Sequence, residues 1–353
     1  MNHKFLIYIS QRYGYSIARP LQSEINKRGY EVAWFNEIKA NDEYIEDDEV
    51  LLETIDDVIN YNPEIVFVPT DTVPDFIPGI KVQIFHGFPA NKRRGTDQFT
   101  IRNFFDLYCT QGPTSTKTFK ELSKKLNHFE VVETGWSKLD PLFPLEDNKN
   151  RKDNKPVVMI SSTFTKSYSL ALNNEVFEEI KRLSKSGKWY FEVVLHPMLD
   201  KGTVEKFKSI QNEYLTYHDT TDLIPLFKKS DVMLCDTSSA LIEYLMQIKP
   251  VVTFRNNMPL PSYINVLDVS EIESAIEYAL TRPEKVISEI EKYAADSHPY
   301  TDGKSSKRVV DAALAFLKKD KSHLKPKPLN IIRKYKIRKK LNYWTLKSFN
   351  KSF

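Results

Sequence analysis

The sequence predicts an α/β protein made of two doubly wound domains with mostly parallel sheets. Short apolar runs alternate with polar or amphipathic helices, which is the pattern of right-handed βαβ units. The segment 146–155 contains no apolar residue, and the same alternation restarts after it. A length of 353 residues suits about two domains.

The alternation places the elements as follows. In the first half, strands are expected at 4–10, 30–36, 64–70, 81–87, 106–112 and 128–135, with a helix over 115–126. In the second half, strands are expected at 156–162, 188–196, 213–219, 231–236 and 250–254, and the last helices at about 269–281, 283–296 and 304–319. We therefore expect a first domain over 1–148, a second over 149–320 and a tail over 321–353. Two such domains make a cleft, and ligands bind outside the carboxyl ends of the strands.

The composition excludes several classes of protein. The chain is 41% hydrophobic and 28% charged, which is ordinary for a globular protein. It contains neither a dinucleotide-binding glycine fingerprint nor a P-loop motif. Its two cysteines, Cys109 and Cys235, are too few for a disulfide framework or a Cys-rich metal site. No apolar run reaches the ~18 residues of a membrane helix. The N-terminus looks like a first strand, not a signal peptide, so we expect a cytoplasmic protein.

The net charge of +4 hides an uneven distribution. Residues 321–353 carry 11 Lys and Arg and no acid, which leaves a net charge of −7 on the rest. Residues 325–353 mix these cations with Ile, Leu, Tyr, Trp and Phe, a composition that suits the anionic inner face of the cell membrane. The alternatives are a disordered solubilising tail and nucleic-acid binding. The second is disfavoured, because no nucleic-acid-binding module accompanies the tail.

The first candidate site is the turn at Asp236-Thr237-Ser238-Ser239. An apolar strand ends at Asp236, and the next helix begins directly after it. Unpaired N–H groups and the positive end of the helix dipole favour an anion at such a turn, and the hydroxyls add donors. The turn therefore predicts a phosphate site, with an ordinary helix cap as the alternative.

Two further strand ends belong to the same predicted domain. His196 stands where a strand stops before Pro197, which places an imidazole donor near a phosphate. A second strand ends in the hydroxyl-rich turn 161–165, which includes Thr163 and is followed by Lys166. A lysine at this point can act as a point charge on a phosphate. Each feature alone also suits an ordinary loop.

The first domain offers a candidate base. His86 follows an apolar strand, and Gly87 permits a sharp turn or a close approach. Histidine is the side chain best suited to accept a proton from an alcohol near neutral pH. The cluster Lys92, Arg93 and Arg94 follows and would attract an anionic acceptor, although most charge runs are simply solvated.

The order of these segments carries more information than any one of them. The chain shows F-H-G with a basic cluster, S-T-F-T-K, L-H-P, D-T-S-S with a helix and K-P-V-V, and finally D-G-K-S-S. Over roughly residues 60–315, this succession resembles the CDP-glycerol glycerophosphotransferase family of teichoic-acid synthesis. T-G-W-S-K-L-D at 134–140 also resembles the G-x-x-[RK]-x-D stretch of that family. The resemblance implies the GT-B fold of two Rossmann-like domains.

The resemblance also implies roles for the matching positions. His86 falls on the acceptor-side histidine of the family, its general base, and His196 on the histidine that contacts the donor phosphates. Ser238 and Ser239 fall on the nucleotide-phosphate turn, with Asp236, Thr237 and Glu243 beside them. Lys166 stands where the family has an arginine, and F-H-G-F replaces W-H-G-T. Both departures bear on substrate preference, because arginine pairs bidentately with phosphate and lysine does not.

The implied reaction transfers a polyol phosphate, glycerol phosphate above all, from a CDP-linked donor to a hydroxyl of a surface-polymer or lipid-linked acceptor, with release of CMP. No cofactor is required. Asp236 or Glu243 could hold Mg²⁺, but no cluster of ligands indicates it. Two alternatives remain. One is a GT-B glycosyltransferase or UDP-sugar epimerase of capsule or envelope polysaccharide synthesis, and the other is an inactive, membrane-attached binding protein.

Overall fold

The computed structural model describes residues 2–88, 99–145 and 155–349, and it divides the chain into two compact units. The first unit combines residues up to Gly87, the segment that ends at Pro141, and the segment from Ser297 onwards. The second runs mainly from Leu142 to Asp296. The division therefore differs from the expected domains 149–320 and 321–353, because residues from 297 onwards pack with the first unit.

The sheet of the first unit has six parallel strands in the order β2-β1-β3-β4-β5-β6. The strands are β1 Lys4–Ile9, β2 Glu31–Asn36, β3 Ile65–Val68, β4 Ile80–Gln83, β5 Leu107–Thr110 and β6 Glu130–Glu133. The helices are α1 Gly14–Lys27, α2 Ile55–Tyr61, α3 Pro113–Leu126, α10 Ser305–Lys318 and α11 Ile331–Leu341. Each predicted strand of this half is present, and most are shorter than the apolar runs that predicted them.

The sheet of the second unit is also parallel, in the order β12-β11-β10-β7-β8-β9. The strands are β7 Val157–Ser162, β8 Tyr190–Leu195, β9 Leu215–Tyr217, β10 Val232–Cys235, β11 Val251–Phe254 and β12 Ile264–Val266. The helices are α4 Asn174–Ser184, α5 Lys201–Lys208, α6 Ile224–Lys229, α7 Ser239–Leu245, α8 Ile272–Leu280 and α9 Glu284–Ser297. Strand β12 was not predicted, because three residues at a sheet edge leave almost no periodic signal.

The central strands are buried along their whole length and are mostly apolar, with polar exceptions such as Lys81 and Gln83 in β4. Every residue of β3, β4, β5, β7, β10 and β11 is buried. Parallel sheets are covered on both faces, so their strands are continuous apolar runs and do not alternate between apolar and polar residues. Cys109 and Cys235 lie in β5 and β10, and both are buried. The α/β class predicted from the sequence is confirmed.

Two of the quoted motifs join inside the first unit. The carboxylate of Asp140 accepts from the backbone N–H groups of Ser305 and Ser306, at 2.7 and 2.6 Å, where α10 begins. Gly135 has a φ of +80°, and a Cβ there would stand 2.4 Å from Ser305 Oγ. Arg308 Nε donates to the carbonyl of Thr134 at 2.7 Å. These contacts hold the first turn of α10, which follows residue 297, against the end of β6.

The described part of the basic tail is docked against the first unit. We call residues 327–349 the C-terminal strap. Arg338 Nη1 and Lys334 Nζ lie 2.6 and 3.3 Å from the buried carboxylate of Asp75. Lys327 lies 2.5 Å from the carboxylate of Asp106, and Ile337 packs against the core with Leu341 and Tyr343. Among the described residues, no helix has the length and hydropathy needed to cross a membrane.

Histidine 298 makes the fold sensitive to acid. The side chain is 2% exposed, and burial, followed by the charge of Arg308, lowers its pKa to about 4. An unfolded histidine has a pKa of about 6.5 and binds a proton more readily. The stability that the fold gains from a neutral His298 is therefore complete above pH 6.5, and it is lost as the pH falls from 6.5 towards 4.

We expect this histidine to remove about 3 kcal/mol of stability between pH 7 and pH 4. Urea denaturation at several pH values measures the loss. The variant His298→Asn should be less stable at pH 7 but should show a shallower acid dependence. His323→Asn, which changes an exposed histidine of the same unit, is the control. An unchanged acid dependence in His298→Asn would contradict this account.

Candidate functional site

The topology fixes where polar side chains collect. In each sheet the strand order reverses beside the first strand of the unit, between β1 and β3 and between β7 and β10. Loops after these neighbouring strands leave in opposite directions and open a crevice at the carboxyl edge. Among the described residues, His86 and Gly87 lie at the edge of the first unit, and Thr163, His196 and the turn 236–239 lie at the edge of the second.

In the second unit, Asp236 joins the two strands beside the crevice. Its side chain is fully buried, and it accepts from Ser162 Oγ at 2.6 Å. It also accepts from the backbone N–H groups of Thr163 and Leu170, both at 3.0 Å. The carboxylate therefore holds the loop after β7 against the end of β10 and is not presented to a ligand. The backbone N–H of Thr163 is already used in this hydrogen bond.

The hydroxyls after Asp236 have separate environments. Thr237 is buried, and its Oγ1 donates to Asn257 Oδ1 at 3.0 Å. Ser238 caps α7 by accepting from the N–H of Ala240 at 3.2 Å. Ser239 is the first residue of the helix and is exposed. The turn therefore presents Ser238 and Ser239, while Thr237 ties it to the loop after β11.

His196 has a defined tautomer. The backbone N–H of Met198 donates to its Nδ1 at 3.1 Å, so this nitrogen carries a lone pair. The proton of the neutral ring is therefore on Nε2, which makes Nε2 a hydrogen-bond donor. The ring packs on Phe164 with centroids 4.6 Å apart. Lys166 lies exposed two residues beyond Phe164 in the same loop.

In the first unit, His86 has the opposite tautomer. Its Nδ1 lies 3.2 Å from the carbonyl oxygen of Pro69, after β3. A carbonyl can only accept, so Nδ1 carries the proton and Nε2 of the neutral ring carries the lone pair. His86 is exposed, and Tyr13 packs on its ring with centroids 5.6 Å apart. The geometry makes His86 Nε2 a proton acceptor, whereas His196 Nε2 is a donor.

Further polar groups follow β1 and β3 on either side of the switch point. Ser10 and Thr70 share a hydrogen bond of 2.7 Å. Burial, followed by the charge of Asp71, raises the pKa of Tyr13 to about 12, so the phenol keeps its proton at neutral pH. The carboxylate of Asp71 pairs with Arg102. This edge can therefore offer hydroxyls, a carboxylate and a base to an alcohol.

The remaining candidate residues from the sequence lie outside the described residues, inside a helix or next to His86. Lys92, Arg93 and Arg94 lie outside the described residues. Glu243 is 6% exposed inside α7. Gly87 follows His86 directly, and its carbonyl accepts from Gln111. In the described part of the chain, no group of three or more His, Cys, Asp or Glu residues could hold a metal ion.

Some residues at these edges were not singled out from the sequence. Asp71 comes directly after the predicted strand 64–70, and Tyr13 lies three residues after the predicted strand 4–10, so the strand-end rule could have included them. Phe164 lies within the quoted S-T-F-T-K motif, but its packing on His196 depends on β7 and β8 being neighbours. Asn257 reaches Thr237 from 20 residues later in the chain, and no local signal marks it.

Known proteins resemble the chain in both sequence and fold. Residues 80–315 match the sequence profile of the CDP-glycerol:poly(glycerophosphate) glycerophosphotransferase family. A Clostridium acetobutylicum protein named as a UDP-N-acetylglucosamine 2-epimerase is 23% identical over 294 residues, 75% of this chain and 76% of that protein.

Solved structures of similar fold include the wall teichoic acid polymerase TagF, with a TM-score of 0.64, 13% identity, and coverage of 90% of this chain and 89% of that one. The UDP-GlcNAc 2-epimerase of Neisseria meningitidis, solved with UDP-GlcNAc, has a TM-score of 0.59, 17% identity, and coverage of 88% and 99%. Both show the two-domain GT-B-type fold. The profile match covers about two thirds of the sequence and includes both histidines and the D-T-S-S turn. The chain therefore belongs to the CDP-glycerol:poly(glycerophosphate) glycerophosphotransferase family.

Proposed function

We propose that this enzyme transfers glycerol phosphate from CDP-glycerol to a hydroxyl of a surface-polymer or lipid-linked acceptor and releases CMP. Family membership supports the donor class. The observation that carries the mechanism is the opposite tautomers of His86 and His196, because the reaction needs one proton acceptor and one hydrogen-bond donor.

In the first unit, the acceptor hydroxyl lies at His86 Nε2, which takes its proton. The oxygen attacks the β-phosphorus of the donor and forms a new P–O bond. The bond from that phosphorus to the bridging oxygen breaks, and the electron pair leaves with CMP. The hydrogen bond from Nδ1 to the Pro69 carbonyl stabilises the imidazolium that forms.

In the second unit, the donor phosphates lie at the edge of β7, β8 and β10. Negative charge spreads over the phosphoryl oxygens during transfer, and fixed donors lower its energy. His196 Nε2–H is such a donor, and the hydroxyls of Ser238 and Ser239 stand at the start of α7. Lys166 contributes a mobile positive charge on the same loop as Phe164. Asp236, Thr163 and Thr237 hold these groups in place, and Glu243 lies inside α7.

We also propose that the enzyme works in the cytoplasm at the inner face of the cell membrane. The outer side of the strap exposes Ile331, Ile332, Tyr335, Trp344 and Leu346. Arg333, Lys336, Lys339 and Lys347 are exposed beside them, and no acid occurs after Asp320. Each cation near an anionic lipid surface contributes about 1 kcal/mol of binding, so the two features reinforce each other. Nucleic acid is not a proposed partner.

The two histidines should respond differently to glutamine. A glutamine at 196 keeps an N–H donor near the position of Nε2, so we expect His196→Gln to stay within about tenfold of the wild-type kcat. His196→Ala should lose roughly 100-fold or more. A glutamine at 86 cannot accept a proton, so His86→Gln and His86→Ala should both lose about 100- to 10,000-fold. Steady-state release of CMP measures all four variants.

His323→Ala serves as the control, because it removes an exposed histidine remote in sequence from both motifs. Full activity in His86→Gln would remove the base from the mechanism. Equal losses in His196→Gln and His196→Ala would contradict the donor assignment. Binding of CDP-glycerol can be checked by thermal shift, since a true donor raises the melting temperature by mass action. UDP-GlcNAc should leave the melting temperature unchanged.

The membrane proposal predicts a loss of vesicle binding that leaves the fold intact. In Ile332→Glu/Trp344→Glu both changes lie on exposed positions of the strap, 73% and 60% accessible. We expect at least about tenfold weaker binding to vesicles that contain phosphatidylglycerol. Activity on a soluble acceptor should not change. Leu267→Glu, an exposed position in the second unit, is the matched control. Unchanged sedimentation with the vesicles would contradict the proposal.

A further inference from the structure

The residue before His86 has an unfavourable backbone conformation. Phe85 has a φ of +58°, in the left-handed region that aromatic residues rarely adopt. Such a conformation persists only where the surrounding structure enforces it. His86 therefore depends on contacts that hold the segment Phe85-His86-Gly87 in place.

Two buried side chains bind the carbonyl groups on either side of His86. Trp136 Nε1 donates to the carbonyl oxygen of Phe85 at 3.3 Å. Gln111 Nε2 donates to the carbonyl oxygen of Gly87 at 2.7 Å. Both side chains are 1% exposed, and they come from the ends of β6 and β5. The peptide group before His86 and the one after Gly87 are therefore fixed from the interior of the unit.

Gln111 has a feature that an ordinary core residue would avoid. Its Oε1 is buried and finds no hydrogen-bond partner among the residues that the structure describes. A buried unsatisfied oxygen costs stability, and an apolar side chain of the same length would not have this cost. What the amide provides in return is the hydrogen bond to Gly87.

Trp136 is itself fixed at two points. Its backbone N–H donates to His298 Nε2 at 3.0 Å, and its indole reaches Phe85. The ring of Phe85 packs against Phe119 and Tyr108, with centroids 5.1 and 6.1 Å away. A continuous set of contacts therefore leads from His298, through Trp136, to the backbone next to His86.

We propose that Trp136 and Gln111 are positioning residues that hold the strained segment so that His86 Nε2 meets the acceptor hydroxyl. Neither side chain touches the reacting atoms. The inference rests on the proposed function, in which His86 is the base. It adds that the placement of this base is set by two side chains outside the F-H-G motif.

The test uses Trp136→Phe, which keeps an aromatic ring but removes the Nε1–H donor. We expect kcat to fall about 10- to 100-fold, because a displacement of about 1 Å at a reacting group costs about that much. The KM for CDP-glycerol should stay within about twofold, since the proposed donor contacts are on the other unit. Gln111→Met, which removes the amide donor at similar length, should act in the same direction.

Trp189→Phe is the matched control. Trp189 is a buried tryptophan of the second unit, 4% exposed, and belongs to a different core cluster. Its replacement should lower the melting temperature comparably while leaving kcat unchanged. If Trp136→Phe and Trp189→Phe have equal kcat values, the positioning role is wrong.

A double-variant cycle separates positioning from general damage. In the His86→Ala background there is no base to place, so adding Trp136→Phe should cost less than about twofold more. A further loss of 10-fold or more there would show that Trp136 acts independently of His86 and would overturn the proposal.

Nitrogen NMR of labelled histidine gives a readout that does not depend on activity. In the wild type with a neutral imidazole, the His86 signals should show a protonated Nδ1 and an unprotonated Nε2. In Trp136→Phe the two tautomers should mix, because the segment relaxes away from the Pro69 carbonyl. An unchanged tautomer, together with an unchanged kcat, would overturn the proposal. If His86→Ala keeps full turnover but the tautomer shift occurs, the proposed role of His86 fails and the positioning inference stands.

Discussion

Each unit is built on a parallel sheet that is buried on both faces, so polar side chains can reach a ligand only at the ends of the strands. The central strands are buried throughout, so chemistry is confined to the loops that follow them. The reversal of strand order beside β1 and β7 then decides which loops meet. His86 and Tyr13 belong to one such edge, and His196 and Ser239 to the other. The strand order therefore sets the location of both candidate half-sites.

At these edges the backbone assigns the roles of the imidazoles. A neutral imidazole has one N–H and one lone pair, and fixing one nitrogen determines the other. The Pro69 carbonyl fixes the proton of His86 on Nδ1, whereas the Met198 N–H fixes the lone pair of His196 on Nδ1. Under the proposed function, identical side chains thus serve as a base and a donor because a backbone contact orients each ring.

The sequence predicted the α/β class and the main strands because buried parallel strands are long apolar runs. The same strand ends led to His86, His196 and the D-T-S-S turn. The contacts of Asp236 could not be predicted, because they require β10 to lie beside β7, although 69 residues separate Ser162 from the start of β10 at Val232 in the chain order. The packing of residues 297–320 with the first unit could not be predicted for a similar reason. Asp140 meets Ser305 across 165 positions, and no local pattern records that contact. The docking of the strap depends on the burial of Asp75 in a loop with no periodicity.

The leaving group tests the central claim most directly. With CDP-glycerol labelled at the β-phosphorus and a soluble glycerol-phosphate acceptor, attack at phosphorus sends the label to the acceptor and releases unlabelled CMP. That is the predicted result. Transfer of the kind made by glycosyltransferases would instead cleave the carbon–oxygen bond of the donor. Labelled CDP, with no label on the acceptor, would contradict the account.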